Sequence, residues 1–149
     1  MSVVWLFPGQ GAQSVGMGLS MISAFPRVSQ RMAQGSEALG LDLHSLLESG
    51  PPRALARTDV AQVAIFCLGV ATNELLRERG FEAGLLAGHS LGLFTAVVAS
   101  GAVGFEEGLA LVRSRGAAMH ASNQSVDGGM LVVHGSDEQA LSACLRAAG

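Results

Sequence analysis

The sequence predicts an α/β fold built on a parallel sheet, and three observations predict it. Two short apolar runs, Val3 to Phe7 and Gly84 to Gly88, each stop at a glycine-containing turn, as buried strands do. Segments of helical period separate the two runs and follow the second. Hydrophobic residues make up 49% of the 149-residue chain and charged residues only 14%. That is enough apolar surface for one real core, and too little charge for a disordered chain.

The elements follow in order. Val3 to Phe7 is bounded by Pro8-Gly9 and is the first strand. Beyond a Gly-rich loop, Val28, Met32 and Leu39 recur near helical spacing and predict a helix from Phe25 to Leu39. Gly50-Pro51-Pro52 breaks the chain. Asp59-Val60-Ala61-Gln62 has the form of a helix start, with Asp59 as N-cap and Gln62 as its capping-box partner. This helix runs to about Leu76, apolar on nearly every face and so predicted to be buried on every face. Arg77-Glu78-Arg79-Gly80 ends it.

Gly84 to Gly88 is the second strand, and Leu91 to Ala99 the helix after it. Phe105-Glu106-Glu107 opens another helix reaching about Ser122, and Asn123 to Asp127 is a polar loop. Met130 to His134 is strand-like, and Ser136-Asp137-Glu138-Gln139 is a capping box for a last helix ending near Ala148. This closing strand and helix have no later strand to pair with. The chain is therefore expected to stop partway through a second unit.

Charge and composition exclude several functions. Net charge is −3, and all nine basic residues are arginines scattered along the chain, which leaves no footprint for nucleic acid. The longest strongly apolar stretch, Val63 to Ala71, is far short of the ~20 residues that span a bilayer, so no membrane partner is expected. No basic segment precedes the first apolar run, as a secretory leader would require. Cys67 and Cys144 are isolated in apolar surroundings, as thiols in a reducing compartment are. A cytoplasmic protein is expected.

Gly88-His89-Ser90-Leu91-Gly92 carries the chemistry. It fits G-x-S-x-G, with a strand before it and a helix after it. A sharp strand-to-helix turn exposes Ser90 Oγ, and the flanking glycines remove the clashes such a turn creates. The N–H of Leu91 at the helix start can then face a developing oxyanion. A loop leaving the first strand lies on the same rim, so the N–H of Gln10 is the candidate second donor. The opening Gly9-x-Gly11 fails as a phosphate cradle: Ser14 stands at the third glycine position, and the Lys-Ser/Thr of a P-loop is missing.

Phe7-Pro8-Gly9-Gln10-Gly11-Ala12-Gln13, Gly88-His89-Ser90-Leu91-Gly92 and Arg115-Gly116-Ala117-Ala118-Met119 together resemble the malonyl-CoA:acyl carrier protein acyltransferases. Arg57-Thr58-Asp59-Val60-Ala61-Gln62 and Gly128-Gly129-Met130 are similar to that family as well. The resemblance implies an α/β-hydrolase-like acyltransferase core over residues 1–122. Residues 123–149 would then be the first strand and helix of a ferredoxin-like small subdomain. It implies a Ser90 nucleophile, an oxyanion hole from the N–H groups of Gln10 and Leu91, and Arg115 paired with the malonyl carboxylate. His89 joins Arg115 at the substrate-binding site, its ring orienting the turn. Malonyl-CoA and an acyl carrier protein are the implied partners, with no permanently bound cofactor.

The helical neighbours of Arg115 support its role independently. Leu111, Val112, Ala118 and Met119 are all apolar, so the guanidinium needs a carboxylate or a route to solvent. Arg113 has similar neighbours, and helical position alone does not choose between the two.

Two departures from the family pattern stand out. Leu93-Phe94 replaces the acidic residue usual after the second glycine, and is more similar to the transferase (epsilon) subunit of malonate decarboxylase systems. The family's catalytic histidine also lies beyond the small subdomain, whereas His44, His89, His120 and His134 are poor substitutes for the base a serine requires. No metal-ligand spacing joins these histidines. The other readings are an α/β-hydrolase esterase and a non-catalytic fragment that binds acyl-CoA or a partner. A fragment with exposed strand edges is expected to self-associate or to pair with a C-terminal half.

Overall fold

The computed structural model describes residues 3–125, 133–135 and 137–148. Strand β1 (Val4–Phe7) is followed by five helices: α1 (Leu19–Ala24), α2 (Pro26–Leu39), α3 (Leu43–Ser49), α4 (Pro52–Leu55) and α5 (Thr58–Glu78). Then come β2 (Leu85–Gly88), α6 (Gly92–Ala99), α7 (Phe105–Ser125) and α8 (Glu138–Ala148). The fold is mixed α/β, mostly helical, with a small parallel sheet. β1 and β2 pair in parallel with Val4 opposite Leu85 and Phe7 opposite Gly88, so both strands end on one rim.

α5 is the centre of the core. Ala61, Val63, Ala64, Phe66, Cys67 and Ala71 have no exposed surface, and α2 and α7 cover its sides. The helix reaches the length and hydropathy of a membrane-crossing segment, but 67% of its most apolar window is buried inside the protein. The expectation of burial on every face is met on all but one: Leu68, Gly69, Thr72 and Leu76 are half-buried and face a cleft. Burial also pushes the Cys67 thiol up to about 12, whereas Cys144 is exposed.

Four local expectations are corrected. Asp59 does not cap α5: the N-cap is Arg57 and makes no side-chain cap hydrogen bond. Asp59 lies in the first turn instead, held by Arg57 Nη2 at 2.7 Å. Helices α1, α3 and α4 occupy stretches with no predicted helix; α3 is capped by Asp42, whose Oδ1 accepts from the Ser45 N–H at 3.1 Å. α7 continues through the predicted polar loop as far as Ser125. Asp137 caps α8 through the Ala140 N–H at 2.7 Å; Ser136, the predicted cap, lies outside the described residues. So do Gly128, Gly129 and most of the strand expected from Met130 to His134. Val133 and His134 are described and belong to no strand.

Candidate active site

Ser90 sits immediately beyond the C-terminal end of β2, on the turn that enters α6. Its φ is 52°, the only left-handed value at a non-glycine among the described residues. Such a conformation costs about 1–3 kcal/mol and persists only where the surroundings enforce it. Here the enforcement is visible. The His89 N–H donates to Phe7 O at 3.0 Å, tying the turn to the end of β1. A Cβ on Gly92 would stand 2.1 Å from Phe7 O, and one on Gly88 2.1 Å from the Gly92 carbonyl carbon. Both glycines of G-x-S-x-G are therefore demanded by backbone-to-backbone contact.

The Gly-rich loop meets this turn. A Cβ on Gly9 would lie 2.7 Å from His89 Nδ1 and 2.8 Å from His89 O, so the loop is seated directly on the residue before Ser90. Gln10 follows it. Among the described residues, the N–H groups of Gln10 and Leu91 have no hydrogen-bond acceptor. Leu91 itself is fully buried and is the N-cap of α6. His89 and Ser90 are exposed.

Arg115 arrives from α7. Its Nη2 donates to Ser90 Oγ at 3.0 Å and its Nη1 to Gln62 Oε1 at 2.6 Å. The guanidinium carbon also stands 5.6 Å from the centre of the Phe94 ring. Gly116 explains the reach: a Cβ there would be 3.0 Å from Asp59 Cα, so only glycine lets α7 come this close to the first turn of α5. Arg113 points elsewhere, donating to Ala38 O at 3.3 Å. Of the two arginines, Arg115 is the one that faces Ser90.

Behind Arg115 lies a polar chain that sequence reasoning missed. Gln62 is completely buried, and its Nε2 donates to Gln10 Oε1 at 3.3 Å and Met119 Sδ at 3.3 Å. Gln10 Nε2 in turn donates to Thr58 Oγ1 at 3.2 Å. Gln62 had a signal, a lone amide inside an apolar run, but its capping-box position absorbed it.

None of the histidines hydrogen-bonds Ser90 among the described residues; Arg115 is the side chain that does. His120 faces Asp59, with Nδ1 and Oδ1 4.0 Å apart. Burial pulls the Asp59 carboxyl up, but hydrogen bonds and charge from Arg57 outweigh it and leave the group below its usual range. A cleft of about 450 Å³ lies between β1 and α5, lined by Val4, Leu6, Leu68, Thr72 and Asn73 among others, and does not include Ser90.

The strained serine thus stands at a strand–helix junction, backed by a glycine loop and an arginine. The chain belongs to the acyl transferase domain family, whose pattern matches residues 4–146.

Malonyl-CoA:acyl carrier protein transacylases are among its relatives. It is 36% identical over 146 residues to the malonyl CoA-acyl carrier protein transacylase of Escherichia coli, covering 97% of this chain and 47% of that protein. The mitochondrial malonyl-CoA-acyl carrier protein transacylase of Homo sapiens is 40% identical over 151 residues, covering 97% and 38%. Among solved structures, the acyl carrier protein S-malonyltransferase of Vibrio cholerae is similar, with TM-score 0.82, 35% identity and coverage of 99% and 49%. So is a malonyl-transacylase in complex with its type II PKS acyl-carrier protein, with TM-score 0.84, 34% identity and coverage of 99% and 48%. The chain spans about half the length of the curated relatives it matches.

Proposed function

We propose that this protein transfers a malonyl group from malonyl-CoA to the phosphopantetheine thiol of an acyl carrier protein. The observation that carries the reading is the 3.0 Å contact between Ser90 Oγ and Arg115 Nη2, at an arginine with no carboxylate partner among the described residues. Nucleophile and cation are held together, as a substrate with both a thioester and a free carboxylate requires.

In this reaction Ser90 Oγ attacks the thioester carbonyl, the C–S bond breaks, and CoA leaves as its thiol with the proton from serine. The N–H groups of Gln10 and Leu91 face the oxyanion, each donor contributing about 2.7–4 kcal/mol in comparable sites. Arg115 takes the malonyl carboxylate in a bidentate pair, which acetyl-CoA does not offer. His89 orients the turn beneath them. The carrier thiol then attacks the Ser90 ester and restores the enzyme. No permanently bound cofactor is needed.

The α/β-hydrolase-like core then runs through the end of α7 at Ser125, three residues past the boundary expected from the sequence, and a ferredoxin-like subdomain follows it. Exposed Leu6 and Leu85 support an association of the sheet with further polypeptide, either a second copy or a C-terminal half. The two free cysteines support a cytoplasmic setting. Leu93-Phe94, beside the elbow, supports a malonate decarboxylase as a second setting for the same transfer.

Intact mass after incubation with malonyl-CoA tests the reading. One malonyl adduct is expected, absent in Ser90→Ala and weak with acetyl-CoA. An adduct that survives Ser90→Ala, or equal labelling by both thioesters, overturns it.

A further inference from the structure

Among the described residues, Arg115 is not one of the arginines that meet carboxylates; Arg79 and Arg113 donate to the backbone carbonyls of Leu75 and Ala38, and Arg115 donates to two uncharged side chains. Arg31 meets Glu74 through Nε at 3.0 Å and Nη2 at 2.6 Å, Arg27 pairs with Glu74 and Glu78, and Arg57 is closed by Asp59. Arg115 is half-buried, yet its polar contacts are an amide oxygen and a hydroxyl. The shortest of them is to Gln62, the most deeply buried polar residue on α5.

The amide of Gln62 cannot turn round. A guanidinium only donates, so Gln62 must present its oxygen to Arg115. Its NH2 group is then aimed at Gln10 Oε1 and Met119 Sδ, both acceptors. Gln10 is anchored to Thr58, which also accepts from Asn123 Nδ2 at 3.5 Å. The Gly-rich loop and α7 thus converge on the Gln62 side chain, whose one acceptor oxygen serves Arg115. That acceptor fixes the direction of the guanidinium without neutralising it.

We infer that Gln62 is a positioning residue for acyl selectivity, an uncharged acceptor that aims Arg115 at Ser90 while leaving its charge free for a substrate carboxylate. The inference rests on the proposed malonyl transfer. A glutamate at this position would have almost the same shape, but it would close an internal ion pair with Arg115 and compete with the substrate. A methionine would keep the volume and the free charge but lose the acceptor.

The test is the ratio of malonyl-CoA to acetyl-CoA affinity by titration calorimetry, in a Ser90→Ala background so that no acyl transfer accompanies binding. The parent is expected to favour malonyl-CoA. Gln62→Glu is expected to lower the ratio by at least about tenfold, the scale of a charge-assisted hydrogen bond, and Gln62→Met by a smaller factor. A parent without preference overturns the proposed function itself, and the role of Gln62 with it. A parent that prefers malonyl-CoA, alongside a Gln62→Glu variant that keeps the ratio, overturns the role of Gln62 alone. So does equal weakening of both ligands, or a fall in Gln62→Met as large as in Gln62→Glu. If Gln62→Glu does not fold by circular dichroism, Gln62→Met decides, and an unchanged ratio there overturns the inference.

Discussion

The helical side of the molecule and its sheet side are built to different degrees of closure. Around α5, Val28, Leu43, Leu47, Val63, Phe66 and Val112 have no exposed surface. On β1 and β2, only the face toward α6 is covered, where Phe7, Ala96 and Ala99 pack with Trp5 and Leu86. The other face leaves Leu6 72% and Leu85 59% exposed, although parallel strands are normally buried on both faces. Ser90 and Arg115 lie on the seam between the two. The closed side contributes Arg115 and Gln62 on rigid helices, and the open side contributes the strained turn.

Thiol labelling sharpens this comparison most. Cys67 lies in the closed side, fully buried and with its thiol pushed up to about 12, while Cys144 is exposed. Native-state alkylation followed by mass mapping is expected to modify Cys67 at least ~10³ times more slowly, since it waits for opening of the core. Comparable rates would show that the helical side is not closed.

Truncation in the two regions comes next. Phe66→Ala is expected to cost about 3–5 kcal/mol in denaturant unfolding, and Leu6→Thr less than about 0.5 kcal/mol. Similar losses would erase the contrast. At the seam, Gly92→Ala places a methyl 2.1 Å from Phe7 O. It is expected to cost about 1–3 kcal/mol and to suppress acylation of Ser90 more than the stability loss explains. A neutral outcome would remove the account of why this turn needs glycine.

The smallest effect is in acid. Side-chain and backbone hydrogen bonds from Ser45 hold the Asp42 carboxyl below its ordinary 3.8. The contribution of this cap is complete above that value and is lost as pH falls through the lower folded one. Asp42→Asn should flatten that slope in thermal melts between about pH 2 and 5, the window of carboxylate titration.

Much of the fold and site was legible in local residue pattern. Both strands, α2, α5, α6 and α7 follow from apolar runs and periods that need no tertiary information, and the glycines around Ser90 mark a turn that other residues cannot make. The short helices were not legible. α1 and α4 have no side-chain cap hydrogen bond, and α3 and α4 crowd the Gly50-Pro51-Pro52 break that reads as loop. Asp59 misled because an acidic residue near a helix start fits the cap and the first turn equally well, and Arg57 settled the choice.

The sequence by itself determined the class of fold, the strained serine between its glycines, and the family whose motifs surround it. These are properties of neighbouring residues, where backbone sterics and apolar period act over a few positions. Tertiary structure alone decided which arginine faces Ser90, that Gln62 is its partner, and that the glycine loop rests on His89. Those contacts join residues 25, 53 and 80 positions apart, and only the packing of α7 against α5 and of β1 beside β2 brings them together.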